Sequence, residues 1–92
     1  MNRREYVLVK AIEECNELAQ ALSKVLTFGE DSDFNGQLPL TNRQHAIVEL
    51  NDLIAVLKAA GLCVFDESKQ QAKIEKMEFF MHRSVHANTL QK

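Results

Sequence analysis

Apolar residues recur every three or four positions along two long stretches of the chain, residues 7–26 and 47–57. This spacing places them on one face of an α-helix. A shorter third stretch carries Ile74, Met77 and Met81 with the same spacing. No segment shows the alternation of a half-buried strand. The pattern predicts an all-α chain, in which two long helices form an antiparallel hairpin and a third helix packs either on its own hairpin or on a neighbouring chain.

The predicted helices have recognisable boundaries. Asn, Thr and Asp are preferred just before a helix, because their side chains accept hydrogen bonds from free backbone N–H groups of the first turn. Glu or Gln three positions later gives the spacing of a capping box, which occurs twice here. Glycine after a helix lets the backbone turn away. The predicted starts are Asn2, Thr41 and Asp66, and the predicted ends are Gly29 and Gly61.

The segment between the first two helices, residues 30–40, is polar and contains Gly36 and Pro39, which predicts a loop. Residues 31–36 are similar to the start of an EF-hand calcium loop. The twelfth position of such a loop requires a bidentate Glu, and Asn42 occupies that position here. We interpret the segment as a turn-rich loop, and its role in substrate binding stays open.

Charge and cysteine content exclude several classes of function. The chain has 11 Lys and Arg against 13 Asp and Glu, a formal net charge of −2. Binding to nucleic acid requires a basic patch, and none is apparent in the sequence. The longest apolar stretch, residues 53–65, is interrupted by Lys58 and is too short to span a membrane. Cys15 and Cys63 form no disulfide framework, which predicts a cytoplasmic protein.

Pairs of carboxylates occur on both long helices. The first helix carries Glu14 and Glu17, and the second carries Glu49 and Asp52. Residues three apart are separated by about 60° around a helix, so each pair shares one face. The second pair projects beside apolar neighbours rather than from the most polar side of its helix. These neighbours are Val48, Val56 and Ala59. A carboxylate in such surroundings must be paired or bound to a metal ion.

One lysine cannot neutralise four carboxylates. Lys10 lies one turn before Glu14 and could form an i,i+4 contact with it, although in the less favourable Lys-first orientation. A hard cation with oxygen ligands would remove the remaining repulsion, and Mg²⁺ suits a few carboxylates together with waters and phosphates. Mn²⁺ is a possible substitute. The residue pattern alone leaves open both a metal site and an ordinary solvated acidic face.

The two acidic segments resemble the MazG-like members of the all-α nucleoside triphosphate pyrophosphatase superfamily. That group has Glu-Glu-x-x-Glu on one helix and Glu-x-x-Asp on the next, as in residues 13–17 and 49–52 here. The likeness covers roughly residues 9–84, although loop 30–40 makes the interval between the motifs longer than in many members. It extends to Lys10, Phe28, Gly29, Asn42 and the run Lys73-Ile-Glu-Lys76, which is similar to short, phage-type members.

The resemblance implies hydrolysis of a nucleoside or deoxynucleoside triphosphate to the monophosphate and pyrophosphate. It also implies a Mg²⁺ site in which the metal ligands and catalytic residues are Glu14, Glu17, Glu49 and Asp52. The first residue of the motif, Glu13, points away by helical angle and is not expected to be a ligand. The candidate substrate-binding residues are Lys10, His45, Lys73 and Lys76.

Two alternative functions remain. Phosphoribosyl-ATP pyrophosphohydrolase belongs to the same superfamily and has a similar Lys-x-x-Glu-Glu-x-x-Glu opening, so Lys10 does not separate the two activities. A non-catalytic helical module that dimerises and binds a partner is the rival from another class. His45 also has an ordinary interpretation, as a histidine at a helix start. Lys73 and Lys76 could equally form a solvated basic strip.

Size and composition predict an assembly. The chain has 92 residues, of which 46% are hydrophobic, and this length corresponds to one domain, residues 1–92. Two helices cannot enclose a core, so we expect a homodimer in which two hairpins form a four-helix bundle with the acids facing inward. Two such dimers would make a tetramer. The sequence does not show which protomer supplies Lys73 and Lys76 to a given site.

Overall fold

The computed structural model describes the backbone of residues 1–86 and the side chains of residues 1–83. Within this part the chain is helical and contains no β-strand. The helices are α1 (Arg3–Phe28), α2 (Asn42–Ala59) and α3 (Glu67–His86). The predicted all-α class with three helices is confirmed. No helix in the described residues is long and apolar enough to cross a membrane.

The helices begin with the predicted caps. Asn2 Oδ1 accepts a hydrogen bond from the backbone N–H three residues later, at 2.8 Å. Thr41 and Gln44 form a reciprocal capping box, with backbone-to-side-chain distances of 3.1 Å and 3.0 Å. Asp66 Oδ1 accepts from the backbone N–H three residues later, at 3.2 Å. Each bond satisfies a donor that the first helical turn leaves free, and the three predicted starts are therefore confirmed.

Helices α1 and α2 form the predicted antiparallel hairpin. At one end, the Arg4 guanidinium donates to the carbonyl of Ala60. At the other end, Asn42 Nδ2 donates to the carbonyl of Gly29, at 3.1 Å. The buried hydrophobic residues are small: Val7, Ala11, Ala21, Ala46 and Ala60. Small side chains at a helix contact allow the two axes to approach closely.

The loop between α1 and α2 is fastened to both helices. The backbone N–H of Asn42 donates to the carbonyl of Ser32, at 2.9 Å. The ring of Phe34 packs on Phe28, with centroids 5.2 Å apart, although Phe34 adopts a φ of 56° that bulky residues rarely take. Asp33 accepts from the backbone N–H three residues later, at 2.8 Å, as a turn residue does.

Asn42 joins the two ends of this loop, so its removal is expected to destabilise the hairpin. Asn42 is only 3% exposed, and its amide is the donor to Gly29. We expect Asn42→Ala to lower the free energy of unfolding by about 1–2 kcal/mol in urea titrations at fixed chain concentration. Asn51→Ala is the matched control, because the exposed Asn51 amide bonds only a carbonyl of its own helix. An equal loss in both variants would contradict this role for Asn42.

Helix α3 does not pack against its own hairpin. In the described residues, no Cα atom of α3 lies within 8 Å of one in α1 or α2. The radius of gyration of the Cα atoms is 16.7 Å, whereas about 12 Å is expected for a compact chain of this length. Of the two packing arrangements that the sequence left open for the third helix, packing on its own hairpin is therefore not present in the described residues.

The protomer has little core of its own. No large side chain in its described part is fully buried. Many large apolar residues are more than 40% exposed, on the hairpin and on the segment that follows it. They include Ile12, Leu22, Leu26, Ile47, Leu50, Leu62, Phe65, Met77 and Met81. Exposed apolar surface of this extent is typical of interfaces.

Candidate metal centre

Helices α1 and α2 bring three of the four predicted acids together. One carboxylate oxygen from each of Glu14, Glu17 and Glu49 lies within 4.8 Å of the other two. Glu14 and Glu49 are half-buried, and Glu17 is exposed. Asp52 is exposed and lies beside them, close enough for its charge to raise the pKa of Glu14. We call these four residues the acidic cluster.

The cluster is electrostatically strained. The pKa of Glu14 is raised above its ordinary value of 4.5, first because burial disfavours the charged form. The charge of Glu17 and a hydrogen bond with it add to the rise, followed by the charges of Asp52 and Glu49. Like charges at this separation repel, so either a proton or a cation would relieve the site.

Two oxygen atoms of the cluster have no donor. Oε2 of Glu14 and Oε2 of Glu49 are buried, and neither has a hydrogen-bond partner among the described residues. The other oxygen of Glu49, Oε1, lies 3.1 Å from Nε2 of His45, one helical turn earlier. His45 is therefore placed to fix the orientation of the Glu49 carboxylate, and the two buried oxygens remain available to a ligand.

The pKa of Glu14 predicts how the stability of the metal-free protein depends on pH. Between pH 4.5 and the folded-state pKa, the folded chain holds a proton that the unfolded chain has released. The free energy of unfolding therefore falls as pH rises across this window. Without divalent cations, Glu14→Gln should raise the melting temperature at pH 7, and its advantage should shrink towards pH 4. An advantage that is the same at both pH values would contradict this.

Lys10 makes a different contact from the possible i,i+4 one. Its Nζ lies 3.0 Å from Oε2 of Glu13, so Lys10 pairs with the acid three residues later rather than with Glu14. The i,i+3 partner is exposed and faces solvent, whereas Glu14 is turned into the helix contact. Glu13 thus lies outside the cluster, as its helical angle predicts. The charge of Glu14 still acts on Lys10, whose pKa is raised chiefly by its hydrogen bond to Glu13.

Lys73 and Lys76 are not brought to the acidic cluster within one protomer. Both are exposed residues of α3, which stands away from α1 and α2. The structure therefore places Lys10 and His45 beside the cluster and leaves the other two candidate substrate-binding residues apart from it.

A pocket adjoins the cluster at the loop end of the hairpin. Its volume is about 290 Å³. We call it the loop pocket, and it is lined by Lys24, Leu38, Pro39, Leu40, Asn42 and His45. His45 connects this pocket with Glu49. Lys24 was not predicted from the sequence. It lies two turns after Glu17 on the same helix face, and this spacing is the signal that indicates it.

An apolar groove of about 330 Å³ lies on the other side of the hairpin. Helical angles place its residues opposite the acidic cluster across the contact between α1 and α2. We call it the apolar groove, and it is lined by Leu18, Leu22, Val25, Glu30, Arg43, Ala46, Ile47 and Leu50. The hairpin thus has one face with acids and one face that is almost entirely apolar.

Comparison with known proteins gives no match for this chain, whether against family models, curated proteins or solved structures.

Proposed function

We propose that this chain is a Mg²⁺-dependent nucleotide pyrophosphohydrolase, which converts a nucleoside or deoxynucleoside triphosphate to the monophosphate and pyrophosphate. The observation that carries the proposal is the acidic cluster, where carboxylates from two helices converge around buried oxygens that have no donor among the described residues. The reaction and the substrate class come from the resemblance of residues 13–17 and 49–52 to the MazG-like motifs.

The donor set of the cluster suits a hard divalent cation. All of its ligand atoms are carboxylate oxygens, and Mg²⁺ is bound by a few carboxylates while it keeps waters and substrate phosphates. The unpartnered Oε2 atoms of Glu14 and Glu49 are the atoms that a cation would satisfy. Glu17 and Asp52 would complete the set, and Mn²⁺ is the expected substitute. When bound, Mg²⁺ neutralises charge on phosphoryl oxygens and activates water.

The chain's own residues position the substrate in this proposal. His45 holds the Glu49 carboxylate in place through the 3.1 Å contact. The loop pocket, with apolar walls from Leu38 and Leu40, receives the nucleoside. Lys24 at the edge of this pocket is a further cation for the phosphates. This arrangement gives the inserted loop a role in base selection.

Lys10 serves as a phosphate-binding residue in the same proposal. Its ion pair with Glu13 joins two half-exposed side chains, and such surface pairs contribute little. The ammonium can therefore exchange Glu13 for a phosphate oxygen at small cost. Lys73 and Lys76 remain proposed substrate-binding residues, which requires α3 to approach a cluster.

We further propose that two chains form a homodimer with a four-helix bundle at its centre, and that two dimers can make a tetramer. The apolar groove supplies the contact, because it is an apolar surface that the described part of the chain leaves uncovered. The acidic cluster then faces away from the partner hairpin, since it lies on the opposite side. This differs from the inward-facing acids expected from sequence.

The test is release of pyrophosphate from the eight common nucleoside and deoxynucleoside triphosphates, with Mg²⁺ or Mn²⁺. Phosphoribosyl-ATP is included as the substrate of the sister activity. Because Cys15 and Cys63 are free thiols and a cytoplasmic location is proposed, the assay contains a reductant. Turnover of phosphoribosyl-ATP alone would assign the sister activity. No release from any of these substrates would favour a non-catalytic interaction module.

Cation binding is expected to stabilise the protein independently of turnover. A ligand that binds only the folded state raises stability by RT ln(1 + [L]/Kd). Millimolar Mg²⁺ should therefore raise the melting temperature of the wild-type chain, and chelation should reverse the shift. Glu49→Gln should lose most of the shift, whereas Glu13→Gln should keep it. An equal shift in both variants would indicate binding away from the cluster.

A further inference from the structure

Helix α3 carries two adjoining strips, one basic and one apolar. Lys69, Lys73 and Lys76 follow the i, i+4, i+7 spacing of one helix face, and we call them the basic stripe. The apolar strip lies next to it and consists of Ile74, Met77 and Met81. In the part of the chain that the structure describes, no acidic side chain forms an ion pair with the basic stripe.

This helix lacks the packing that would stabilise it. Met77 and Met81 are 57% and 51% exposed, and within the described residues no Cα atom of α3 lies within 8 Å of one in α1 or α2. Most helical stability in proteins comes from packing of an apolar face, since isolated helices are marginal in water. Helix α3 therefore needs a partner surface that is both acidic and apolar.

The acidic face of the hairpin has this combination. The acidic cluster lies beside a second apolar depression of about 260 Å³ at the start of α1, distinct from the apolar groove. This α1 depression is lined by Tyr6, Val7, Ala55, Val56 and Ala59 together with Lys10. The four carboxylates of the acidic cluster lie beside the α1 depression, just as the three lysines of the basic stripe lie beside the apolar strip of α3. Charge and apolarity both complement α3.

The same face has little positive charge for the proposed reaction. A triphosphate brings several negative charges to four carboxylates, and Lys10, once it exchanges Glu13 for a phosphate oxygen, supplies only one positive charge. Lys24 and His45 are the other basic side chains in the pocket beside the cluster. The basic stripe is the largest group of basic residues on α3. This step of the inference rests on the proposed function.

We propose that α3 of a second copy of this chain docks across the acidic cluster, so that each site is formed by two chains. The apolar groove and the acidic cluster lie on opposite sides of the hairpin. An assembly can therefore cover the groove with a neighbouring hairpin and the cluster with a neighbouring α3. Every second copy of the chain carries an α3 that complements the acidic cluster. Docking between copies also explains why α3 stands away from its own hairpin.

Cross-linking tests the docking without reference to activity. In a full-length background with Cys15→Ser and Cys63→Ser, the double variant Glu17→Cys with Lys73→Cys is treated with a flexible bis-maleimide. Docking between copies predicts a covalent dimer on a denaturing gel. The control pair, Glu17→Cys with Glu75→Cys, places the second thiol on another side of α3 and should give several-fold less dimer. A link within one chain, or equal yields in both pairs, would overturn the proposal.

Mixing of two inactive variants tests the shared site. One chain carries Lys73→Glu and Lys76→Glu, and the other carries Glu49→Gln. In a dimer with random pairing, half of the assemblies are mixed and each has one complete site of two, so about a quarter of wild-type activity should return. No return of activity, with wild type active, would overturn the inference. An inactive wild type with a strong inter-chain cross-link would reject the proposed reaction and keep the docking.

Discussion

Glu49→Gln is expected to reduce pyrophosphate release by more than about a hundredfold while the chain remains folded. Glu49 is half-buried, its Oε1 contacts His45, and its Oε2 is a buried oxygen with no donor in the part of the chain that the structure describes. A metal ion contributes several kcal/mol to stabilising transition-state charge, and each 1.36 kcal/mol corresponds to a tenfold change in rate. The amide keeps the shape of the side chain and removes the charge that would hold the cation.

The matched control for this loss is Glu13→Gln. Glu13 is the same residue type on α1, but its carboxylate is exposed and pairs with Lys10 outside the cluster. We expect it to retain activity within a factor of about three, since an exposed ion pair contributes at most about 1 kcal/mol. Far-ultraviolet circular dichroism and melting temperature would show that both variants remain folded.

The outcomes separate the proposed enzyme from a helical interaction module. In a module without catalysis, Glu49→Gln would relieve repulsion and would change nothing else. If Glu49→Gln released pyrophosphate as fast as wild type, the cluster would not be the catalytic centre. A loss of equal size in Glu13→Gln would indicate that the general charge of α1 matters rather than the geometry of the cluster.

Local sequence signals predicted the elements of this fold well. The caps at Asn2, Thr41 and Asp66 each depend on a side chain and a backbone N–H three residues later, so the sequence alone specifies them. Periodicity likewise specified which helices have apolar faces. It did not specify what those faces contact, because contact depends on the path of the chain after Gly61. The separation of α3 from the hairpin was therefore not predicted.

The acidic cluster was predicted in part, because helical spacing is a local signal of the same kind as the caps. Helical spacing places Glu14 with Glu17 and Glu49 with Asp52, and the antiparallel contact then joins the two pairs. Spacing does not determine which of two neighbouring acids Lys10 selects, because that choice depends on which carboxylate faces solvent. The loop pocket was also outside the reach of periodicity, since it requires the folded path of residues 30–40.

Assembly is the second feature with a large expected effect, and Leu50→Lys is the substitution that tests it. Leu50 lines the apolar groove and is 42% exposed in the protomer. A lysine there would place a charge in the contact between two hairpins, and burial of an unpaired charge costs several kcal/mol. The protomer has little core to remain folded alone, so we expect the variant to dissociate and to lose most of its helical signal at micromolar concentration.

The control for this change is Asn51→Lys, which introduces the same side chain at the neighbouring position. Asn51 is exposed, and helical angle places it outside the apolar groove. Sedimentation velocity should show dimer for wild type and for Asn51→Lys, and the melting temperature of both should rise with chain concentration, because dissociation accompanies unfolding. A wild-type chain that sediments as a folded monomer at micromolar concentration would contradict the bundle. Its melting temperature would then be independent of concentration, and the apolar groove would need an occupant other than a second hairpin.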